Sequence, residues 1–314
     1  MNRDVMGLIV KREDGSEIVN YDDPQFPSYI FEGWVKPKVT WERVPHFHED
    51  IEMCTVTQGK MAYSVNGKTI MLEEGDTIFI NSNQIHYSMC IDDVGARYVI
   101  FIAHPGILHS SVAVEMQAIR PITDNKDLPY LRFRDIDEMT EEVYRLMNSL
   151  LSIRHCAFEI TKQFFQIWDL IIKRSEIIGA LGPDEAPDAR MQTFKSMMTF
   201  ISNEYQRTLT LEEIAGSANI SKSQCNLLFK QYVNESPINY LMGFRARKVA
   251  EYLRSSSLSM TEIASLSGFS GVSYMSETFK KLFGTTPRDY RKMWMNLNAE
   301  EAAVQRAREN AGKK

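Results

Sequence analysis

Residues 45–52 read PHFHEDIE, which sets two imidazoles and a carboxylate at His46, His48 and Glu52. Nitrogen and carboxylate donors of this kind bind divalent metals. On a β-strand, side chains alternate between faces, so these three share one parity and point the same way. Asp50 has that parity too. The row therefore also reads as a polar strand face turned to water.

The elements that must position these residues are strands. From about residue 30 to 102 short apolar runs alternate with turn signals, among them Asn66-Gly67 between two alternating segments and EEGD at 73–76. Such spacing predicts a small antiparallel barrel or sandwich. The texture then becomes helical. Ile136, Met139, Val143, Leu146, Met147 and Leu150 recur at helical spacing, and AFEITKQFFQIWDLIIKRSEII continues as a second, strongly apolar helix. Packing on the barrel accounts for one apolar face; the surplus predicts a helix-mediated dimer equally well. GALGPDEAPD, rich in Gly, Pro and acidic residues, reads as a linker.

The chain has 314 residues with a net charge of −5. That total conceals an asymmetry. Residues 1–188 hold 18 Lys+Arg against 30 Asp+Glu, a balance of −12, whereas 189–296 hold 14 against 8, a balance of +6. A basic module attached to an acidic one predicts an anionic partner for the basic part, with nucleic acid foremost. No apolar run suits a signal peptide or a membrane span, so a cytoplasmic location is expected. Cys54, Cys90, Cys156 and Cys225 are scattered and read as reduced thiols.

The basic module contains a repeat. LTLEEIAGSANISKSQCNLLFKQYVNESPINYL aligns with LSMTEIASLSGFSGVSYMSETFKKLFGTTPRDYR at an offset of 49 residues, and of 50 after one insertion. Each copy has helix-turn-helix grammar. Thr210/Glu213 and Ser259/Glu262 form capping boxes, Asn219 and Gly268 suit a positive-φ turn, and Ile220 and Phe269 plug the corner. Ser221 and Ser270 are expected to cap the second helices. Cys225, Leu228, Phe229 and Tyr232 then face inward, as do Met275, Phe279, Leu282 and Phe283. Ser223, Asn226, Leu227 and Lys230 face outward on one helix, and Ser273, Glu277, Lys280 and Lys281 on the other. A short polar and basic face of this kind suits a major groove.

With these residues in place, the module at 191–293 resembles the DNA-binding domain of the AraC/XylS family of transcriptional regulators. GFSGVSYMSETFKKLFGTTPRDYR is very close to that family's signature. The resemblance implies two helix-turn-helix units joined by a long helix, here Ile238 to Arg254 with Arg245, Arg247 and Lys248. It carries base reading to Lys222, Ser223, Gln224 and Asn226 in the first unit, and to Val272, Ser273 and Ser276 in the second. Lys230, Arg245, Lys280 and Lys281 are the phosphate candidates. Leu227 and Glu277 stand where family members often carry Arg, which predicts a site poor in guanine contacts.

HFHEDIEMCTVTQG likewise matches the first cupin motif through His46, His48, Glu52 and Gly59, and GDTIFINSNQIHYSMC resembles the second through Gly75 and His86. It departs from that second motif at Asn81, Asn83 and Cys90. The double resemblance implies a multidomain chain: an N-terminal antiparallel β-barrel with packed helices, then an all-α double helix-turn-helix domain. The expected boundaries are an arm at 1–29, a sensor barrel at 30–110, a helical dimerisation region at 111–178, a linker at 179–188, the DNA-binding domain at 189–296 and a polar tail at 297–314. YDDPQFPSYIF reads as an arm able to close over the barrel.

In that barrel His46, His48, Glu52 and His86 would bind a small effector, such as a carbohydrate, directly or through a divalent metal; no cofactor is required. Trp41 and Tyr98 join them as effector-contact candidates, with Trp34, Tyr63 and Tyr87 as further stacking walls. The expected function is a DNA-binding regulator, an activator rather than a repressor and not an enzyme. Its expected partners are double-stranded DNA, the effector, RNA polymerase and a second copy of the chain. Two alternatives stand beside it: a metal-dependent cupin enzyme carrying a DNA-binding module, and a regulator whose empty barrel only dimerises.

Overall fold

The structure is a computed structural model that describes residues 10–12, 16–36, 44–134, 137–180 and 190–295. Its N-terminal half is built around one long strand. β1 (Val10–Lys11) and β2 (Glu17–Ile18) form a small hairpin, and β3 (Ser28–Val35) follows. Then come β4 (Ile51–Val65), β5 (Lys68–Glu73), β6 (Thr77–Ile80), β7 (His86–Cys90) and β8 (Ala96–Ala103). All pairings are antiparallel: the first half of β4 lies between β8 and β6, and the second half pairs with β5 and β7. Between Val56 and Gln58 the β4–β8 register shifts, a bulge that lets one strand serve two pairs of neighbours.

The two faces of this antiparallel sheet bury different cores. Cys54, Val56, Met61, Tyr63 and Ile80 gather inside the barrel. Ile51, Met53, Phe79 and Phe101 turn outward, under α3 (Glu138–Ile153) and α4 (Ala157–Ala180), whose Leu146, Phe164 and Trp168 cover them. Asp137 caps α3, and Arg174 of α4 reaches back to that carboxylate at 2.8 Å. Short helical turns at α1 (Val112–Val114) and α2 (Arg120–Thr123) flank a π-turn. β9 (Tyr130–Phe133) then pairs with β6, so a strand lies within the stretch expected to be helical. Phe158 and Phe165 of α4 remain exposed, so barrel packing does not consume all of the apolar surface.

The C-terminal third is helical: α5 (Arg190–Glu204), α6 (Leu211–Gly216), α7 (Lys222–Val233), α8 (Pro237–Ser255), α9 (Met260–Leu266) and α10 (Val272–Phe283), with a last helical run over 287–295. Capping boxes start α6, α7 and α9. Asn219 and Gly268 take φ of 54° and 76° at the two turns, as their residue types require. Each unit has its own core, one around Phe229 and Tyr240, the other around Phe279 and Tyr290. Fully burying one such aromatic contributes about 1.5–3 kcal/mol.

One expected cap is corrected. α10 starts after Gly271, with no side-chain cap, because the residue inserted between the two copies moves Ser270 out of the capping position. The four cysteines are free thiols; burial raises the Cys54 pKa and moves that of Cys225 up to about 11. Among the described residues no helix is long and apolar enough to cross a membrane.

Candidate functional site

His46, His48, Glu52 and His86 come together, and one ligand atom from each lies within 4.8 Å of the others. The strand that gathers them differs from the simple alternation expected of PHFHEDIE. β4 begins only at Ile51, and His46 joins the sheet through a single bridge to His86. Asp50, which shares the parity, is diverted: its carboxylate accepts from the Tyr21 hydroxyl at 2.7 Å.

Backbone carbonyls set all three rings. His46 Nδ1 lies 2.7 Å from Val44 O, His48 Nδ1 3.0 Å from Asp50 O, and His86 Nδ1 2.8 Å from Gln84 O. Only an N–H can face a carbonyl oxygen, so each Nδ1 carries a proton and each Nε2 is left for the cluster. Glu52 receives two of them: its Oε2 is 3.2 Å from His86 Nε2 and 3.6 Å from His48 Nε2. Its Oε1 accepts from the Tyr63 hydroxyl at 2.9 Å.

A carboxylate and a ring nitrogen cannot both accept, so a cation, either a proton or a metal ion, must sit between them. Among the described residues, His48 Nε2 has no hydrogen-bond partner although it is buried. Three imidazole nitrogens and one carboxylate oxygen, with ring orientation fixed from behind, fit a divalent first-row metal.

Electrostatics agree with the geometry. Burial would raise the Glu52 pKa, yet the surrounding imidazoles hold it well below the usual carboxylate range. Burial, aided by the adjacent His86 ring, pushes His46 well below the ordinary imidazole value. Burial opposes charge on His48 as well, but the Glu52 carboxylate outweighs it and its pKa is raised.

Other expected contacts are corrected or fall elsewhere. Trp34 is 46% exposed, with Lys36 and Arg97 lying over its ring. Tyr87 follows His86 directly and so turns to the opposite face. Tyr98 is half-buried against the barrel-interior cluster that contains Tyr63, beside Gly33. Trp41 lies outside the described residues. Tyr63, buried in the same interior cluster, is a positioning partner for Glu52. Reasoning from sequence missed Glu17, whose carboxylate is 3.6 Å from His46 Nε2 and whose amide donates to Phe47 O. The only signal for it was its place in a segment read as an arm.

On the helical domain, Ser223, Asn226, Leu227 and Lys230 are exposed on α7, and Ser273, Glu277, Lys280 and Lys281 on α10. Val272 and Ser276 are half-buried, Val272 against the core of the second unit. Three candidates are already engaged: Lys222 pairs with Glu212, the Gln224 side-chain carbonyl accepts from Ser221 in the cap, and the Asn226 side-chain amide donates to Lys222 O at 3.0 Å. Arg245 is corrected. It is 7% exposed, and its guanidinium donates to Tyr205 O at 2.8 Å and Arg207 O at 2.7 Å, so it ties α8 to the chain before α6 and cannot reach a phosphate. Its neighbour Arg247 instead lines a cleft of about 750 Å³ between the two outward helices, with Lys230 and Lys281 on the rims.

Comparison with known proteins agrees with both halves. A cupin domain family matches residues 35–102, and a helix-turn-helix domain family matches 214–293. The chain is 24% identical to the uncharacterized HTH-type transcriptional regulator YdeC of Bacillus subtilis, over 88% of this chain and 96% of that one. It is 24% identical to the HTH-type transcriptional activator RhaR of Cronobacter sakazakii, over 82% and 92%. A putative AraC-like transcription regulator of Streptomyces antibioticus is 34% identical over 31% of this chain and 32% of its own.

Proposed function

Because the chain is an AraC-family transcriptional regulator with an N-terminal cupin domain and a C-terminal helix-turn-helix domain, we propose that the His46, His48, Glu52 and His86 cluster is its sensing site. In the same reading α7 and α10 enter successive major grooves of one duplex. One observation carries it: donor atoms of three imidazoles and the buried Glu52 carboxylate gather within 4.8 Å of one another, in a chain that also exposes two polar helix faces.

The effector of this reading is a small polyhydroxylated metabolite, such as a carbohydrate, whose hydroxyls meet the cluster directly or through a divalent metal. A metal held there would offer open coordination positions to a polar oxygen. Asn226 and Ser273 are the leading base readers, since both are exposed and Asn226 has only a bond to Lys222 O within its own helix to give up; Lys230, Lys280 and Lys281 hold phosphates. The matched RhaR activator supports activation as the sign of regulation, and with it RNA polymerase as a partner. The exposed Phe158 and Phe165 on α4 support a homodimer. The cytoplasm is where such a protein meets its DNA.

Selection of bound DNA from a random pool, with and without a sugar panel and divalent metals, tests the reading. It is expected to enrich two half-sites about one helical turn, ~34 Å, apart. Enrichment of no sequence would sink the assignment of α7 and α10. A sensing site further requires that one ligand raise the thermal midpoint, since binding to the native state must stabilise it.

A further inference from the structure

Phe47 sits between His46 and His48, and Ile85 immediately precedes His86, yet neither faces the barrel interior. Both are buried in one apolar cluster with Phe194, Met198, Phe229 and Tyr232 of α5 and α7. Alternation explains the split. His46 and His86 exchange backbone hydrogen bonds, 3.1 Å and 2.9 Å, so the two segments run as a paired ribbon. One face of the ribbon gives imidazoles to the cluster, and the other gives Phe47 and Ile85 to the first helix-turn-helix unit.

Polar contacts hold the same seam. Asn83 donates its amide to His48 O at 2.7 Å, and its own carbonyl accepts from Lys195 Nζ of α5. That ammonium also lies 4.3 Å from the centre of the Phe47 ring. Asn66, at the tip of the β4–β5 hairpin, donates to Ile85 O at 2.7 Å. The next residue, Gly67, is pressed so close to α7 that a Cβ there would collide with Gln231 O.

We propose that this seam is how the regulator transmits its signal: occupancy of the His46–His48–Glu52–His86 cluster sets the seating of the first helix-turn-helix unit through Phe47 and Ile85. The inference rests on the cluster being a ligand site. A ligand shared by the three imidazoles fixes their mutual spacing. The backbone at 47 and 85 must follow, because each is joined to a cluster histidine. Close-packed side chains then pass the displacement to α5 and α7 rather than absorb it. Since α7 carries one reading face and α10 the other, a small tilt of α7 changes how the pair fits two grooves. The ligand acts only as far as it binds one seating better than the other.

Full-length protein titrated with cobalt(II) tests this through three readouts: visible absorption for cluster occupancy, hydrogen exchange across α5 and residues 83–86, and affinity for the selected DNA. Cobalt is expected to change the exchange and to shift DNA affinity about fivefold or more. Phe47→Ala should keep the cobalt spectrum and lose both responses. Ile85→Ala, a milder truncation, should weaken them, and the spectrum itself reports whether either variant keeps its barrel. Absence of cobalt absorption in the unsubstituted protein would overturn the metal-competent reading of the cluster and this inference with it. Absorption without any change in exchange or DNA affinity would overturn the inference alone, as would responses in Phe47→Ala equal to those of the unsubstituted chain.

Discussion

The Tyr63 hydroxyl donates to Glu52 Oε1 at 2.9 Å, although the two residues have opposite parity along β4. The bulge between Val56 and Gln58 supplies the offset that turns both side chains inward. Tyr63→Phe removes one hydroxyl from behind a metal-competent carboxylate. Such supporting groups are worth ~10–100-fold in metal affinity. Cobalt titration of this variant is expected to show a loss of that order, and an unaltered affinity would mean that Glu52 is held by its histidines alone.

Arg245 separates structural from DNA-binding charge. Replacing it with Met keeps the aliphatic stem but leaves two buried carbonyls without their charged donor. Removal of such bonds costs about 1.5–3 kcal/mol each when the donor is charged. Chemical denaturation should register a loss of about 3–6 kcal/mol, while the salt dependence of DNA binding by the remaining folded protein stays unchanged.

For the two reading faces the expected signature is the reverse. Asn226→Ala and Ser273→Ala should weaken binding to the selected site, by ~1–3 kcal/mol where a bidentate base contact is lost, and leave non-specific DNA binding nearly intact. Lys280→Ala and Lys281→Ala should weaken all sequences alike and reduce the salt slope by about 1 each. Lys222→Ala should change less, since its ammonium is already paired with Glu212.

Acid should act on the first unit through Glu213. The Arg207 guanidinium, joined by the amide and hydroxyl of Thr210, lowers its pKa to about 2. A folded pKa below the unfolded value means that protonation favours unfolding. The contribution is therefore complete above the ordinary carboxylate pKa near 4.5 and is lost as pH falls from there toward about 2. Glu213→Gln should flatten stability against pH across that window, and NMR titration should place the native carboxyl at its low end.

Legibility followed the range of the interactions involved. Capping boxes, positive-φ turns and inward stripes depend on residues within a few positions of one another, so the helical repeat could be read directly from its letters. The four donors were legible too, because their types are rare together. What the letters hid was non-local. Glu17 reaches His46 through a separate hairpin, and Tyr63 reaches Glu52 only because a bulge changes the count. Arg245 and Arg247 look alike on paper. Two positions apart on a helix, they lie about 200° around its axis, so one meets backbone carbonyls while the other meets the open cleft. Ser270 shows the same weakness at short range, where one inserted residue moved a cap to Gly271.

A hairpin tip is ordinarily where a chain tolerates added residues best. Asn66-Gly67 is an exception, because Gly67 combines a φ of 84° with direct abutment on α7. Lengthening this turn would wedge the two domains apart before it disturbed either one. In a scan of single-residue insertions, position 67 should stand out as intolerant among the exposed turns.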